Sequence, residues 1–200
     1  MIEFLPLFPC PVIKIDTKPE FNNIRNDLIS FCYSERENTP KGITRSNKSG
    51  WHSDLLLEEE KFHKYKEFIE KYITKSFEPY VNSGVKIVPC SYWINISGKN
   101  ASNSEHCHPG SDISGCIWIK SSKSSGSFRF TNPNDFIHNS LLKTFNHQSK
   151  SKFYFSERYF FKPIEGEMIL FPSNMNHCVF ENNDDNDRIS IAFNLKIYEN

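Results

Sequence analysis

The sequence has no excess of charge of either sign, because Lys and Arg number 24 and so do Asp and Glu, in 200 residues. Proteins that hold a nucleic-acid backbone or an anionic lipid surface normally concentrate positive charge. The balance therefore argues against nucleic acid as a partner. The chain also lacks any apolar run of the roughly 18–20 residues that crossing a bilayer requires, so we expect no membrane segment.

Paired-cysteine motifs are missing too. The six cysteines include no C-x-x-C pair and no zinc-ribbon spacing. The first residues, MIEFLPLFPCPVIKID, carry no basic stretch followed by an apolar one, as a secretion signal would. We therefore expect reduced thiols and a cytoplasmic location.

Aromatic residues make up 14% of the chain, and Phe and Tyr favour strands. Residues 1–16 read as an apolar entry strand, and helical spacing predicts amphipathic helices at 21–31 and 55–77, the second capped by Ser53 or Asp54. From about residue 85 short strands alternate with turns, which predicts a sandwich or jelly roll. The predicted strands are 85–97, 115–120, 127–131, 152–161, 167–171, 177–181 and 188–198. We expect one domain, with 1–84 as strand and helical support and 85–200 as the β core.

Three histidines form the candidate chemical centre. In an extended strand, His106 and His108 of the segment EHCHP share one face while Cys107 points away, so two imidazoles converge. His177, far along the chain at the start of another strand, is the candidate third ligand. Such a facial set with open positions is typical of non-haem Fe(II) oxygenases.

Arg188 adds a cation to this constellation. It opens the apolar strand RISIAFN, whose burial would leave a guanidinium in the core. The planar guanidinium can bind a carboxylate through two hydrogen bonds, so one carboxylate of a dicarboxylate cosubstrate would neutralise its charge.

Several segments together resemble a known family. They are YWIN at 92–95, Asn103, HCHP at 106–109, SG at 114–115 with Trp118, PIEGEMILFPS at 163–173, His177 and RISIAFN at 188–194, with LFP at 7–9 and SNKSGWHS at 46–53. This combination is similar to the 2-oxoglutarate/Fe(II)-dependent dioxygenases of bacteria and tailed phages. The likeness covers nearly the whole chain.

The resemblance implies a mainly β fold, a double-stranded β-helix of the jelly-roll or cupin-like type with supporting N-terminal helices. It implies Fe(II) held by His106, His108 and His177, with 2-oxoglutarate on the metal and its far carboxylate on Arg188. Further residues expected in the cosubstrate pocket are Ser190, Trp118, Tyr92 and Asn95. Reaction with O₂ would release succinate and CO₂, usually with hydroxylation of a substrate.

One position departs from the wider superfamily, which has Asp or Glu where this chain has His108. A carboxylate suits Fe(II) and lowers the charge of the site, so three imidazoles would alter metal choice. Asp112, which a turn after Pro109-Gly110 could return to the metal, is the alternative ligand, together with His177 and one of the other two histidines. Glu105 falls on the opposite strand face.

Two other functions stay open at this stage. One is a non-catalytic, metal-stabilised jelly-roll that serves as a binding or virion-associated module. The other is a three-histidine cupin-like dioxygenase without a cosubstrate, against which Arg188 argues. Trp51 and His52 either line the cleft or belong to a packed indole and helix cap. The substrate is expected to be a small molecule or a protein side chain, a homodimer is allowed, and a phage-encoded chain would work in the host cytoplasm.

Overall fold

The computed structural model describes residues 9–134 and 156–199, together with Thr144 and Asn146. Within these ranges two helices support the fold: α1 (Lys18–Asn38), with a proline in its first turn, and α2 (His63–Phe77), which follows a short 3-10 turn at Glu60–Phe62. No helix in these ranges is long and apolar enough to cross a membrane. The expected entry strand is described only from residue 9, and its Leu5–Phe8 segment lies outside the described residues, as does the start of the strand expected at 152–161.

The second helix starts later than expected, and the prediction that Ser53 or Asp54 caps it is wrong. Instead, this segment continues beside a strand: Ser53 N–H donates to the Ile94 carbonyl at 3.0 Å and Leu56 N–H to the Tyr92 carbonyl at 2.9 Å. The Ser53 hydroxyl accepts from Ile94 N–H at 2.9 Å. Because the neighbouring strand takes up these backbone groups, the helix cannot begin here.

Two antiparallel sheets form the barrel within the described ranges. Their strands are β1 (Ile13–Asp16), β2 (Asn47–Lys48), β3 (Trp51–His52), β4 (Val85–Ser97), β5 (Ser102–His106), β6 (Ile113–Lys120), β7 (Phe128–Thr131), β8 (Arg158–Phe161), β9 (Glu167–Pro172), β10 (His177–Val179) and β11 (Arg188–Glu199). The larger sheet has the order β1-β9-β6-β11-β4-β3 and the smaller sheet the order β2-β5-β10-β7-β8. The mainly β, jelly-roll fold class with N-terminal helices is thereby confirmed.

Period-2 alternation divides the side chains of the larger sheet between two apolar cores. One face packs against the helices, where buried residues such as Phe21, Leu28, Tyr92 and Phe193 meet. The other face looks into the barrel, whose own core is aromatic and is formed by Cys116, Trp118, Phe128, Phe130, Ile169, Phe171 and Met175. The helices thus cover one side of the sheet and leave its other side to form the wall of a cavity.

The longest strand pairing fixes that wall. Along β4 and β11, Arg188 lies opposite Ser97, Ser190 opposite Asn95 and Ala192 opposite Trp93. On the other side of β11, Ser190 lies opposite Trp118 of β6. These cross-strand neighbours face the barrel interior as a set, because each pair shares one face of the sheet.

Candidate active site

A cavity of about 740 Å³ opens into the barrel and is lined by residues from both sheets. His106, His108 and His177 line it on the smaller sheet's side, and Asn95, Trp93, Arg188 and Ser190 on the larger sheet's side. The sequence-predicted histidines and arginine are therefore brought to one cavity.

One ring nitrogen from each of His106, His108 and His177 lies within 4.8 Å of the others. The ring centroids of His106 and His177 are 4.3 Å apart, and those of His108 and His177 are 5.1 Å apart. The cross-strand pairing of His106 on β5 with His177 on β10 produces this approach. His108 lies just beyond the end of β5, where its backbone N–H donates to the Ser173 carbonyl at 2.8 Å.

Backbone carbonyls set the tautomers of two of these rings. Nδ1 of His106 lies 2.7 Å from the Ser104 carbonyl, and Nδ1 of His177 lies 2.9 Å from the Met175 carbonyl. A carbonyl only accepts, so Nδ1 carries the proton in each ring and Nε2 keeps its lone pair. A hydrogen bond on the far nitrogen is the usual way in which proteins orient a metal-binding imidazole.

Burial keeps the three imidazoles neutral. It lowers the pKa of His108 to about 4 and, with the nearby His106, the pKa of His177 to about 3. Burial also lowers the pKa of His106. At neutral pH all three rings therefore offer lone pairs to a cation without first losing a proton.

The alternative ligand Asp112 is turned elsewhere. Its carboxylate accepts from Ile197 N–H of β11 at 2.8 Å, and the residue is absent from the cavity wall. The Glu105 carboxylate pairs with Arg129 at 3.1 Å and with the Thr131 hydroxyl. Within the described ranges, the ligand cluster consists of three histidines with no carboxylate.

Arg188 is buried on the same cavity, with 3% of its surface exposed. Nη1 donates to the carbonyls of Ser125 and Phe180, the latter at 2.9 Å. Nη2 is buried without a hydrogen-bond partner, and no described carboxylate forms an ion pair with this side chain. Burial lowers the pKa of Arg188 to about 10, which still leaves it charged at neutral pH. Burying a guanidinium without a counter-charge lowers the free energy of unfolding, so the site is suited to binding an anionic group next to Arg188.

Of the other expected pocket residues, Ser190, Trp118 and Asn95 line the cavity and Tyr92 does not. Tyr92 packs its ring 5.2 Å from Phe62 on the helix side, and its hydroxyl donates to Glu70 at 3.3 Å. The reason is strand parity: Tyr92 and Asn95 are three residues apart on β4 and so face opposite sides. Tyr92 is therefore a residue of the helix-facing core and not of the pocket.

His52 lines the cavity, a position that the sequence alone left undecided. Its ring lies parallel to that of Trp93, with centroids 5.8 Å apart, and its Nδ1 is 2.6 Å from the Ser53 carbonyl. Neighbouring Trp51 instead points away and donates Nε1–H to the Thr39 carbonyl at 2.8 Å. Because Trp51 and His52 are adjacent residues of an extended segment, their side chains point to opposite faces, and this was the sequence signal that could have distinguished their roles.

The carbonyls of Ser125 and Phe180, which hold Arg188, were missed altogether. Backbone acceptors carry no residue-type signature in a sequence, so only the folded loops reveal them.

Comparison with known proteins places this site in a family. The model of the family described as "Putative 2OG-Fe(II) oxygenase" matches residues 91–194, just over half of the chain. The chain belongs to this family of 2-oxoglutarate- and Fe(II)-dependent oxygenases. It is accordingly an oxidoreductase that uses Fe(II) and 2-oxoglutarate. A search of curated proteins finds no significant match.

Solved structures share the fold at low sequence identity. A prolyl-4-hydroxylase from Pseudomonas putida superposes with a TM-score of 0.62 at 11% identity, covering 95% of this chain and 94% of that one. A prolyl hydroxylase from Trichoplax adhaerens, in complex with a hypoxia-inducible-factor peptide, gives 0.61 at 9% identity over 92% and 83% of the chains. HygX from Streptomyces hygroscopicus, with nickel, 2-oxoglutarate and hygromycin B bound, gives 0.57 at 10% identity over 94% and 83%.

The residues present suit the cofactors of the family. Three neutral imidazoles are ligands that Fe(II) accepts. The unpaired Nη2 of Arg188 is a donor that the far carboxylate of 2-oxoglutarate can use. The cluster differs from the usual two-histidine, one-carboxylate set in having His108 at the third position.

Proposed function

We propose that the chain oxidises, most simply by hydroxylation, a substrate that is a small molecule or a protein side chain. In this proposal His106, His108 and His177 hold Fe(II), and Arg188 binds the far carboxylate of 2-oxoglutarate. The observation that carries it is that Arg188 lines the same cavity as the three histidines, while its buried Nη2 has no hydrogen-bond partner.

When bound, Fe(II) supplies O₂-dependent decarboxylation of 2-oxoglutarate to succinate and CO₂, coupled to oxidation of the substrate. The contribution of the protein is binding and orientation. His106 and His177 are held by carbonyls on Nδ1, which fixes the direction of each Nε2 lone pair. Arg188 offers a fixed donor, and Ser190 and Asn95 offer polar groups on adjacent strands.

Two aromatic residues give this end of the cavity a partly apolar wall. Trp118 and Phe128 are 2% and 5% exposed and line the cavity. An apolar wall strengthens the interaction between a carboxylate and the Arg188 guanidinium, because it lowers the local dielectric constant.

The substrate side of the cavity is more polar. Arg45, Asp54, Leu55 and the parallel rings of His52 and Trp93 surround it. Neither Arg45 nor Asp54 belongs to a cluster of one charge sign, which gives no support to a nucleic-acid substrate.

The direct test is turnover of 2-oxoglutarate. We expect succinate to form only when Fe(II), 2-oxoglutarate and O₂ are all present, and to disappear in His177→Ala. His63→Ala is the matched control, because His63 is an exposed histidine at the start of α2. Succinate formation that persists in His177→Ala would contradict the assignment of the metal ligands.

Two further measurements on this protein distinguish the proposed function from the other two functions that the sequence left open. A non-catalytic, metal-stabilised module would gain melting temperature from Ni(II) but none from 2-oxoglutarate. A three-histidine dioxygenase without a cosubstrate would keep its activity in Arg188→Met. The unpaired guanidinium favours the cosubstrate-dependent reaction over both.

We also propose a cytoplasmic location, in a host cell if a phage encodes the chain. All six cysteines are free thiols, which suits a reducing compartment. A homodimer stays a prediction that sedimentation would test.

A further inference from the structure

The guanidinium of Arg188 is held by backbone rather than by a side-chain partner. Both protons of Nη1 are used, one on the Ser125 carbonyl and one on the Phe180 carbonyl. The two carbonyls therefore fix the orientation of the guanidinium, whose Nη2 is buried and has no hydrogen-bond partner. The position of the two carbonyls thus decides where an anion can bind.

The two carbonyls belong to loops that are joined to each other. Phe180 N–H donates to the Ser127 carbonyl, and Asn183 N–H to the Ser124 carbonyl, both at 2.9 Å. Gly126 lies between them with φ +75°, and a Cβ there would lie 2.5 Å from the Phe180 carbonyl oxygen. The loop between β6 and β7 therefore packs backbone to backbone on the segment after β10.

Asp184 closes this junction from the outside. Its carboxylate accepts from the Ser122 hydroxyl at 2.6 Å and from the Ser124 hydroxyl at 3.1 Å. Its other oxygen accepts from Asn186 N–H at 2.8 Å, while its own N–H donates to Asn182 at 3.1 Å. These hydrogen bonds lower the pKa of Asp184, so the carboxylate is ionised at working pH.

The loop reaches Arg188 through Ser125. The Ser125 hydroxyl accepts from Ser122 N–H at 2.7 Å, and Ser125 itself is 2% exposed. Ser122 is thus bound on one side to Asp184 and on the other to the residue whose carbonyl holds Nη1.

We infer that Asp184 is a positioning residue for the cosubstrate, which fixes the Ser125 carbonyl through Ser122 and so aims the Arg188 guanidinium at the far carboxylate of 2-oxoglutarate. Asp184 itself is not among the residues that line the cavity. This inference rests on the proposed function, since it takes Arg188 to be the group that binds 2-oxoglutarate.

Binding to the Ni(II)-loaded protein tests it without turnover, by calorimetric titration. We expect Asp184→Ala to raise the Kd for 2-oxoglutarate about tenfold, the effect of a disturbed hydrogen bond to a charged group. The Kd for Ni(II) should stay as in the wild type. Asp185→Ala is the matched control, because Asp185 adjoins Asp184 but its side chain is 86% exposed and pairs with Lys99 at the surface. Its Kd for 2-oxoglutarate should remain at the wild-type value.

Binding of a second ligand distinguishes a change in the orientation of Arg188 from general disruption of the cavity. 2-Oxobutanoate lacks the far carboxylate, so Asp184→Ala should leave its Kd unchanged. Ser122→Ala removes the same hydrogen bond to Asp184 from its donor side, so it should weaken the binding of 2-oxoglutarate and leave that of 2-oxobutanoate unchanged. The double variant should lose less than the two single losses combined, because both act on one path.

The outcomes are distinct. Wild-type affinity for 2-oxoglutarate in both Asp184→Ala and Ser122→Ala, while Arg188→Met loses it, overturns this inference and leaves the proposed function standing. An equal rise in the Kd for 2-oxobutanoate and the Kd for 2-oxoglutarate in Asp184→Ala also overturns it. A wild-type protein that does not bind 2-oxoglutarate overturns both.

Discussion

His106 and His177 lie directly opposite each other on the antiparallel strands β5 and β10, and their ring centroids are 4.3 Å apart. Residues 71 positions apart in the chain are thus brought together by strand register. A slip of one residue would turn one imidazole to the outer face of the sheet. The register of the smaller sheet is therefore a condition for metal binding.

The all-imidazole ligand set leads to a prediction about metal preference. Imidazole favours metals such as Zn(II) and Ni(II), and a carboxylate favours Mn(II) and other hard cations. His108→Asp should raise the affinity for Mn(II) relative to Zn(II) by about tenfold, at the lower end of the changes that altered ligand surroundings produce. Competition titration of both metals measures the ratio. His108→Gln, which adds no charge, is the control, and an equal ratio in the wild type and His108→Asp would refute the prediction.

The buried imidazoles make the metal-free protein sensitive to mild acid. The pKa values of His106, His108 and His177 lie below the usual 6.5 in the folded state, with His108 at about 4 and His177 at about 3. Between these values and 6.5 the unfolded chain binds more protons than the folded one, so folding stability rises with pH. Their full contribution is present above pH 6.5 and is lost progressively as the pH falls below it.

Urea unfolding of metal-free protein between pH 7.5 and 5 measures this effect. The free energy of unfolding should fall across the interval, before the carboxylates begin to titrate. The fall should be shallower in His177→Gln, which removes one titrating group. A free energy that is flat from pH 7.5 to 5 in the wild type would show that the rings are already protonated or exposed.

The larger sheet contains a position where only glycine fits. A Cβ on Gly115 of β6 would lie 2.6 Å from the Phe193 ring and 2.7 Å from the Ile169 carbonyl oxygen. Gly115→Ala should therefore lower the free energy of unfolding by about 1–3 kcal/mol, the usual cost of overpacking. Gly98→Ala is the comparison, since its nearest neighbour is the side-chain oxygen of Asp187 at 3.3 Å. Equal stability of the two variants in urea would contradict this account.

Alternation in short strands made much of the site predictable. Because side chains two residues apart share a face, His106 and His108 could be paired, and Arg188 could be placed with Ser190. The same rule, applied to β4, would have excluded Tyr92 once Asn95 was assigned to the cavity. The strands at 85–97 and 188–198 were foreseen closely because each is long and apolar on one face.

Other features depend on contacts that no local pattern encodes. β2 and β3 have two residues each and exist because they pair with β5 and β4. Asp112 looked available as a ligand, but the N–H of Ile197, distant in the chain, binds its carboxylate. The start of α2 was misplaced because helical periodicity does not register that β4 binds the backbone of residues 53–56.

The unpaired guanidinium of Arg188 makes the effect of 2-oxoglutarate on stability a sharp prediction. A ligand that binds only the folded state at 100 times its Kd stabilises that state by about 2.7 kcal/mol. At the 2-oxoglutarate concentration that achieves this in the Ni(II)-loaded wild type, Arg188→Met should gain almost nothing, because Met offers the far carboxylate no donor. Arg25→Met is the control, since Arg25 pairs with Glu165 at 2.8 Å, is absent from the cavity wall, and should leave the full gain in place. Urea unfolding with and without 2-oxoglutarate measures the difference. An Arg188→Met protein that 2-oxoglutarate stabilises as much as the wild type would mean that another group binds the far carboxylate.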